Sequence, residues 1–124
     1  VVIEKRHKDP IHAEIVRRIF EFLEKGKSFK VLKEDPINLD FSEPEPDIAI
    51  VVKGDYSQAH PKEAFLVIEV ANSSIALDRA KSSIYAKANI PEYIIANLQN
   101  NILEVYMTPV DGKYTFTKIL GTSH

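Results

Sequence analysis

The sequence predicts an α/β domain built as a central mixed β-sheet flanked by α-helices. Three observations carry this expectation. Two apolar runs, Pro46-Asp47-Ile48-Ala49-Ile50-Val51-Val52 and Phe65-Leu66-Val67-Ile68-Glu69-Val70, are rich in β-branched residues and have the length of buried strands. Two segments, residues 10–25 and 75–88, repeat apolar side chains at helical spacing. The C-terminal third sets strand-like runs between the turn pairs Asn100-Asn101 and Asp111-Gly112.

The elements follow in order. Asp9-Pro10 reads as an N-cap with Pro at the first helical position. Ile11, Ile15, Ile19, Phe22 and Leu23 then form the expected inner stripe, Glu14, Arg17, Arg18 and Glu21 the solvated face, and Gly26 the stop. Phe29–Leu32 predicts a short strand and Ile37–Phe41 another. Ser42-Glu43-Pro44-Glu45-Pro46 is a stiff approach to the first core strand. Lys53 to Lys62 form a polar loop. Asn72-Ser73-Ser74 breaks the second core strand and can cap a helix over Ile75–Ala88. Strands are expected at Tyr93–Leu98, Ile102–Thr108 and Tyr114–Leu120. No internal repeat or second domain interrupts the chain, so residues 1–124 read as one domain. A start at Val1-Val2 without Met agrees with processing or truncation at the N-terminus.

Composition narrows the function classes. With 44% hydrophobic and 27% charged residues, 124 residues can close one core. The absence of cysteine excludes disulfides, zinc-thiolate sites and thiol nucleophiles. No apolar stretch is long enough to span a bilayer and no signal peptide pattern opens the chain, so a cytoplasmic protein without a membrane partner is expected. A net charge of −2 argues against a strong general field for nucleic acid and leaves a local basic patch open.

The chemistry lies in charges where strands and helices ought to be apolar. If the two core strands pair antiparallel, Asp47 at the start of one lies beside Glu69, or its neighbour, near the end of the other. Two buried acids side by side repel each other and lose hydration, unless a positive group sits between them. A divalent metal is the first candidate. On the second helix, Lys81 falls within the stripe Leu77, Ala80, Ile84, Tyr85 and Ala88, so its ammonium must snorkel out or meet a carboxylate. Asp78, one turn earlier, can pair with it or extend the polar site. His12 shares a helical face with Ile15, Val16 and Ile19. Each residue also has a plain structural reading. Asp47 alone suits a turn, Asp78 a helix first turn, Ser73 and Ser74 a cap, and His12 a hydrogen-bonded core position.

The ordered set of Pro46-Asp47, then Glu69-Val70, with a lysine in reserve, resembles the PD-(D/E)XK nuclease superfamily. More narrowly, the stretch is similar to the Uma-two family of restriction endonuclease-like proteins, long described as a domain of unknown function. The resemblance rests on Val67-Ile68-Glu69-Val70, Ser73-Ser74, Asp78-Arg79, Lys81, Tyr85-Ala86, Ile90-Pro91-Glu92-Tyr93 and Leu103-Glu104-Val105-Tyr106. It extends back to Pro46-Asp47 and His12, and so covers most of the chain. It implies a restriction endonuclease-like fold and Mg²⁺-dependent hydrolysis of DNA phosphodiesters, with Mn²⁺ as a substitute. In that reading Asp47 and Glu69 are metal ligands, the Val70 carbonyl completes the shell, and Lys81 is catalytic with both acids. His12 and Asp78 are auxiliary. The superfamily's usual lysine position falls on Ala71, and Lys81 stands in its place. Where the family tends to have Trp and Asp, this chain has Ile94 and Asn97.

Two functions of different class follow: a Mg²⁺-dependent endonuclease, or a nuclease-fold domain that binds nucleic acid or a protein partner without cutting. The C-terminal hairpin, with Ile102, Val105, Tyr106 and Tyr114 expected near a lightly charged sheet edge, suggests a homodimer.

Overall fold

The computed structural model describes residues 9–26 and 28–121. Helix α1 (Pro10–Glu24) begins where the cap signal places it. Asp9 is extended, and its Oδ1 accepts the His12 N–H at 2.7 Å, satisfying one of the first-turn donors. The helix buries His12 and Val16, with Ile15, Ile19, Phe20 and Leu23 packed partly beside them. Ile11 and Phe22, expected in this stripe, are instead 59% and 72% exposed. The apolar arc is wider than the sheet surface beneath it, and the sheet takes the part centred on Val16.

The sheet has six strands in sequence order: β1 (Lys30–Lys33), β2 (Ile48–Val51), β3 (Leu66–Ala71), β4 (Glu92–Asn97), β5 (Ile102–Val110) and β6 (Lys113–Gly121). All neighbours are antiparallel except β3 and β4. A parallel pair needs a crossover, and helices α2 (Ile75–Ala80) and α3 (Ser82–Lys87) supply it. The predicted pairing of the two core strands is present, with Ile48 opposite Ile68. Continued by one residue, that register sets Asp47 beside Glu69.

Three local expectations are corrected. Residues 37–41 form no strand. Asp40 is left-handed at φ 72°, and the Leu39 N–H bonds the Ser42 carbonyl across the turn that results. Ile37 and Leu39 nevertheless fill the core from irregular backbone. The second helix is broken in two at Lys81, and it is rotated from the expected stripe. Leu77 and Ala80 are exposed, whereas Asp78 is fully buried. Polar partners, not apolar matching, set that rotation. The third correction concerns the C-terminal hairpin. Val105 is buried, and the rings of Tyr106 and Tyr114 stack on Tyr93 at 5.9 and 6.5 Å. The apolar residues this hairpin exposes are Leu103, Val110, Phe116, Ile119 and Leu120.

Two apolar clusters line the two faces of the sheet. One, under α1, holds Val16, Ile48, Ile68, Val70 and Ala96. The other, under α2 and α3, holds Val51, Val67, Tyr85, Tyr93 and Ile95 among others. Asn89 takes the left-handed conformation that ends α3, with its N–H on the Ala86 carbonyl and that of Ile90 on Tyr85. Among the described residues no helix is long and apolar enough to cross a membrane.

Candidate active site

Asp47 immediately precedes β2, and Glu69 lies within β3, so the strand register alone brings them together. Their contacts are reciprocal. The Asp47 N–H donates to Glu69 Oε1 at 2.8 Å, and the Val70 N–H donates to Asp47 Oδ2 at 2.8 Å. Each acid is thus held by the backbone of the other strand, which fixes both carboxylates in one place. The two are 7% and 1% exposed.

His12 reaches this pair from α1. Its Nε2 lies 3.1 Å from Asp47 Oδ2, while its Nδ1 is buried with no hydrogen-bond partner among the described residues. The bond to Asp47 assigns the proton to Nε2 in the neutral ring.

Lys81 comes from the other face, at the joint between α2 and α3. Its Nζ donates to Glu69 Oε2 at 3.0 Å and lies 3.4 Å from Asp78 Oδ1. Asp78 also accepts the Ser74 hydroxyl at 2.7 Å, and its carbonyl accepts the Tyr93 hydroxyl at 2.6 Å. Ser74 is the N-cap of α2 by position, but its side chain makes no capping bond and serves Asp78 instead. Tyr85, one turn beyond Lys81, places its hydroxyl 3.5 Å from Glu69 Oε2.

The electrostatics follow from this crowding. Burial, then the neighbouring Asp47 carboxylate, push the Glu69 carboxyl up to about 7 against the pull of Lys81. Burial works against the Lys81 charge, but Glu69 and Asp78 together outweigh it, and the ammonium is held above its ordinary range. Burial and Glu69 likewise push the Tyr85 phenol upward, so it stays a donor.

The structure therefore brings Asp47, Glu69, Val70, Lys81, His12 and Asp78 into one cluster. Tyr85 joins it, and Arg79 and the buried Glu104 form a second pair nearby; none of the three carries a role of its own in the sequence reading. Arg79 forks onto the buried Glu104 with Nε–Oε1 and Nη2–Oε2 distances of 3.0 and 2.7 Å. Tyr106 and Asn97 fill the remaining acceptor sites of Glu104 at 2.8 and 3.3 Å. At Ala71, the usual lysine position, the side chain is buried and apolar. Among the described residues no three His, Cys, Asp or Glu side chains are grouped to hold a metal ion.

A putative nuclease belonging to DUF820 from Anabaena variabilis ATCC 29413 has a similar fold, with a TM-score of 0.76 and 12% identity over 94% of this chain and 70% of that chain. At that identity the likeness shows the fold, which is restriction endonuclease-like. No curated protein matches the chain. The Uma2 family model, described as "Putative restriction endonuclease", matches residues 1–124. The match over the whole chain, with a nuclease-type neighbour of the same fold, shows that this chain belongs to the Uma2 family.

Proposed function

We propose that this protein is a Mg²⁺-dependent endonuclease that hydrolyses phosphodiester bonds in DNA. The observation that carries the reading is the pairing of the buried Asp47 and Glu69, with Lys81 bonded to Glu69. A structural core gains nothing from two facing buried carboxylates, one of which burial and then the charge of the other raise toward neutrality.

The donor set suits a small hard cation. Mg²⁺ prefers oxygen, keeps several waters, and is commonly held by one or two carboxylates. Asp47, Glu69 and the Val70 carbonyl would hold it, and its charge would relieve the repulsion between the acids. Bound there, the ion supplies Lewis-acid polarisation of a phosphate and a water of lowered pKa. The chain's own residues supply the rest. Lys81 presents a permanent cation for charge that builds on the phosphate oxygens in the transition state. The Tyr85 hydroxyl and the Asp47 N–H hold Glu69 in one orientation, and His12 does the same for Asp47. Asp78 keeps Lys81 at the joint when Glu69 turns to another partner.

Titration with Mn²⁺ in place of Mg²⁺ tests the reading directly. One specific Mn²⁺ per chain is expected, lost in Glu69→Gln, together with cleavage of plasmid DNA by the parent and a loss on the order of 10³-fold in the variant. An observation that favours the second reading is Ala71 at the usual lysine position. Mn²⁺ binding without cleavage of any DNA or RNA gives that reading: a fold that binds nucleic acid or a protein partner without cutting.

We further propose a homodimer. Its motivation is the nine-residue edge strand β6 and the exposed side chains of Leu103, Phe116, Ile119 and Leu120. Light scattering that returns a monomer at working concentration overturns it.

A further inference from the structure

Glu69 and Glu104 stand in one row of the sheet. Glu69 is opposite Ile95 on β4, and Ile95 is opposite Glu104 on β5. Two strand spacings set them roughly 10 Å apart on the face that α2 covers. Two cations, two residues apart in sequence, answer them: Arg79 bonds Glu104 and Lys81 bonds Glu69. The C-terminal end of α2 is thus tied to both acids of the row at once.

That tie matters because α2 itself has little apolar surface to seat it, its other anchors being the bonds to Asp78 and the adjoining α3. The helix is six residues long and buries only Asp78, with Ile75 half-buried. Helices this short are not stable alone, and here apolar burial is small. The Tyr93 hydroxyl pins the backbone at the Asp78 carbonyl, but one hydrogen bond is a pivot. Turning about it swings Lys81 away from Glu69. A guanidinium fork is planar and makes two parallel bonds, so it resists that turn, and Glu104 at 2% exposure is itself fixed by Tyr106 and Asn97.

We infer that the Arg79–Glu104 fork is the positioning device that holds Lys81 against Glu69. Arg79 itself touches no reacting atom. The inference rests on the proposed role of Lys81 for its effect on cleavage, but not for its effect on where Lys81 lies.

The experiment uses the full chain, the variants Arg79→Gln and Arg79→Lys, and three readouts. These are the NMR cross-peak of the ¹⁵N-labelled Lys81 ammonium (identified by its loss in Lys81→Met), Mn²⁺ affinity, and plasmid cleavage. Arg79 is half-exposed, so Arg79→Gln is expected to fold. It should lose or broaden the Lys81 peak, leave Mn²⁺ affinity within about threefold, and slow kcat roughly 10-fold with little change in KM. Arg79→Lys keeps the charge but cannot fork, and should restore only part of the peak and rate. An unchanged Lys81 peak in Arg79→Gln overturns the inference, as does full restoration by Arg79→Lys, which would make the role one of charge alone. Should the parent cut nothing while Arg79→Gln still loses the peak, the positioning stands and the nuclease reading falls.

Discussion

Glu69 and Glu104 share a row of the sheet, a helix above them and almost complete burial, yet their surroundings differ in sign. Glu104 meets one guanidinium in a fork, with Tyr106 and Asn97 as further donors and no second acid. The Arg79 guanidinium holds its carboxyl below the usual carboxylate range. Glu69 meets one ammonium, but burial first, and then the Asp47 carboxylate beside it, push its carboxyl the other way. Burial of an acid is therefore no mark of function by itself. What separates the two is the heavier desolvation of Glu69 together with a second acid beside it, a surplus of negative charge that the proposed cation would offset.

The comparison breaks first, if it breaks at all, on the pH dependence of stability in the metal-free protein. Glu69 binds its proton up to about 7 when folded and only up to about 4.5 when unfolded. Between those values the native state holds more protons, so stability falls as pH rises, by roughly 3 kcal/mol once above 7. Glu104 works in the opposite sense. Its lowered carboxyl contributes stability above about 4.5 that is lost as the pH drops below that value. Urea melts of the parent and Glu69→Gln across about pH 3 to 8 separate the two. The decline toward pH 8 should disappear in the variant, and the loss on the acid side should remain. A decline that survives Glu69→Gln means that the two glutamates are not distinguished by charge surplus.

A smaller effect sharpens the comparison from the cation side. Lys81→Met keeps the apolar stem and removes the charge. Mn²⁺ affinity should hold, since ammonium is no ligand, while DNA cleavage falls about 100-fold, or about 2.7 kcal/mol of transition-state stabilisation. Equal cleavage by Lys81→Met and the parent assigns the lysine to structure, on the same footing as Arg79.

Much of the site was legible in the residues, and the reason is geometric. Sequential antiparallel pairing of β2 with β3 brings Asp47 to the level of Glu69 or its neighbour, and the long loop 52–65 leaves the choice between them to the structure. Lys81 betrayed itself as a charge at an inward helical position. The helix rotation was not legible, because Leu77 offered a plausible apolar anchor and Asp78 a plausible solvated one. The structure reverses them through bonds from Ser74, Tyr93 and Lys81, which lie at separations a helical pattern does not display. Glu104 was hidden for a different reason. In Leu103-Glu104-Val105-Tyr106 it alternates as a solvent-facing strand residue should, and the side chains of Arg79, Asn97 and Tyr106 that close over it come from positions the alternation does not display. Ile37 and Leu39 likewise reach the core without the strand their pattern suggests.

The single parallel pairing in the sheet also bears on the order in which the site is assembled. Lys81 and Glu69 are 12 residues apart and meet within the crossover from β3 to β4. Asp47 is 22 residues from Glu69, and His12 is 35 from Asp47, each on an element outside that crossover. Closing a shorter loop costs less entropy and is the faster step. Glu69 is accordingly expected to meet its ammonium before the second carboxylate arrives. In that order the repulsive pair closes on a glutamate already countered by the helix that follows it, and the chain is spared folding past two bare charges.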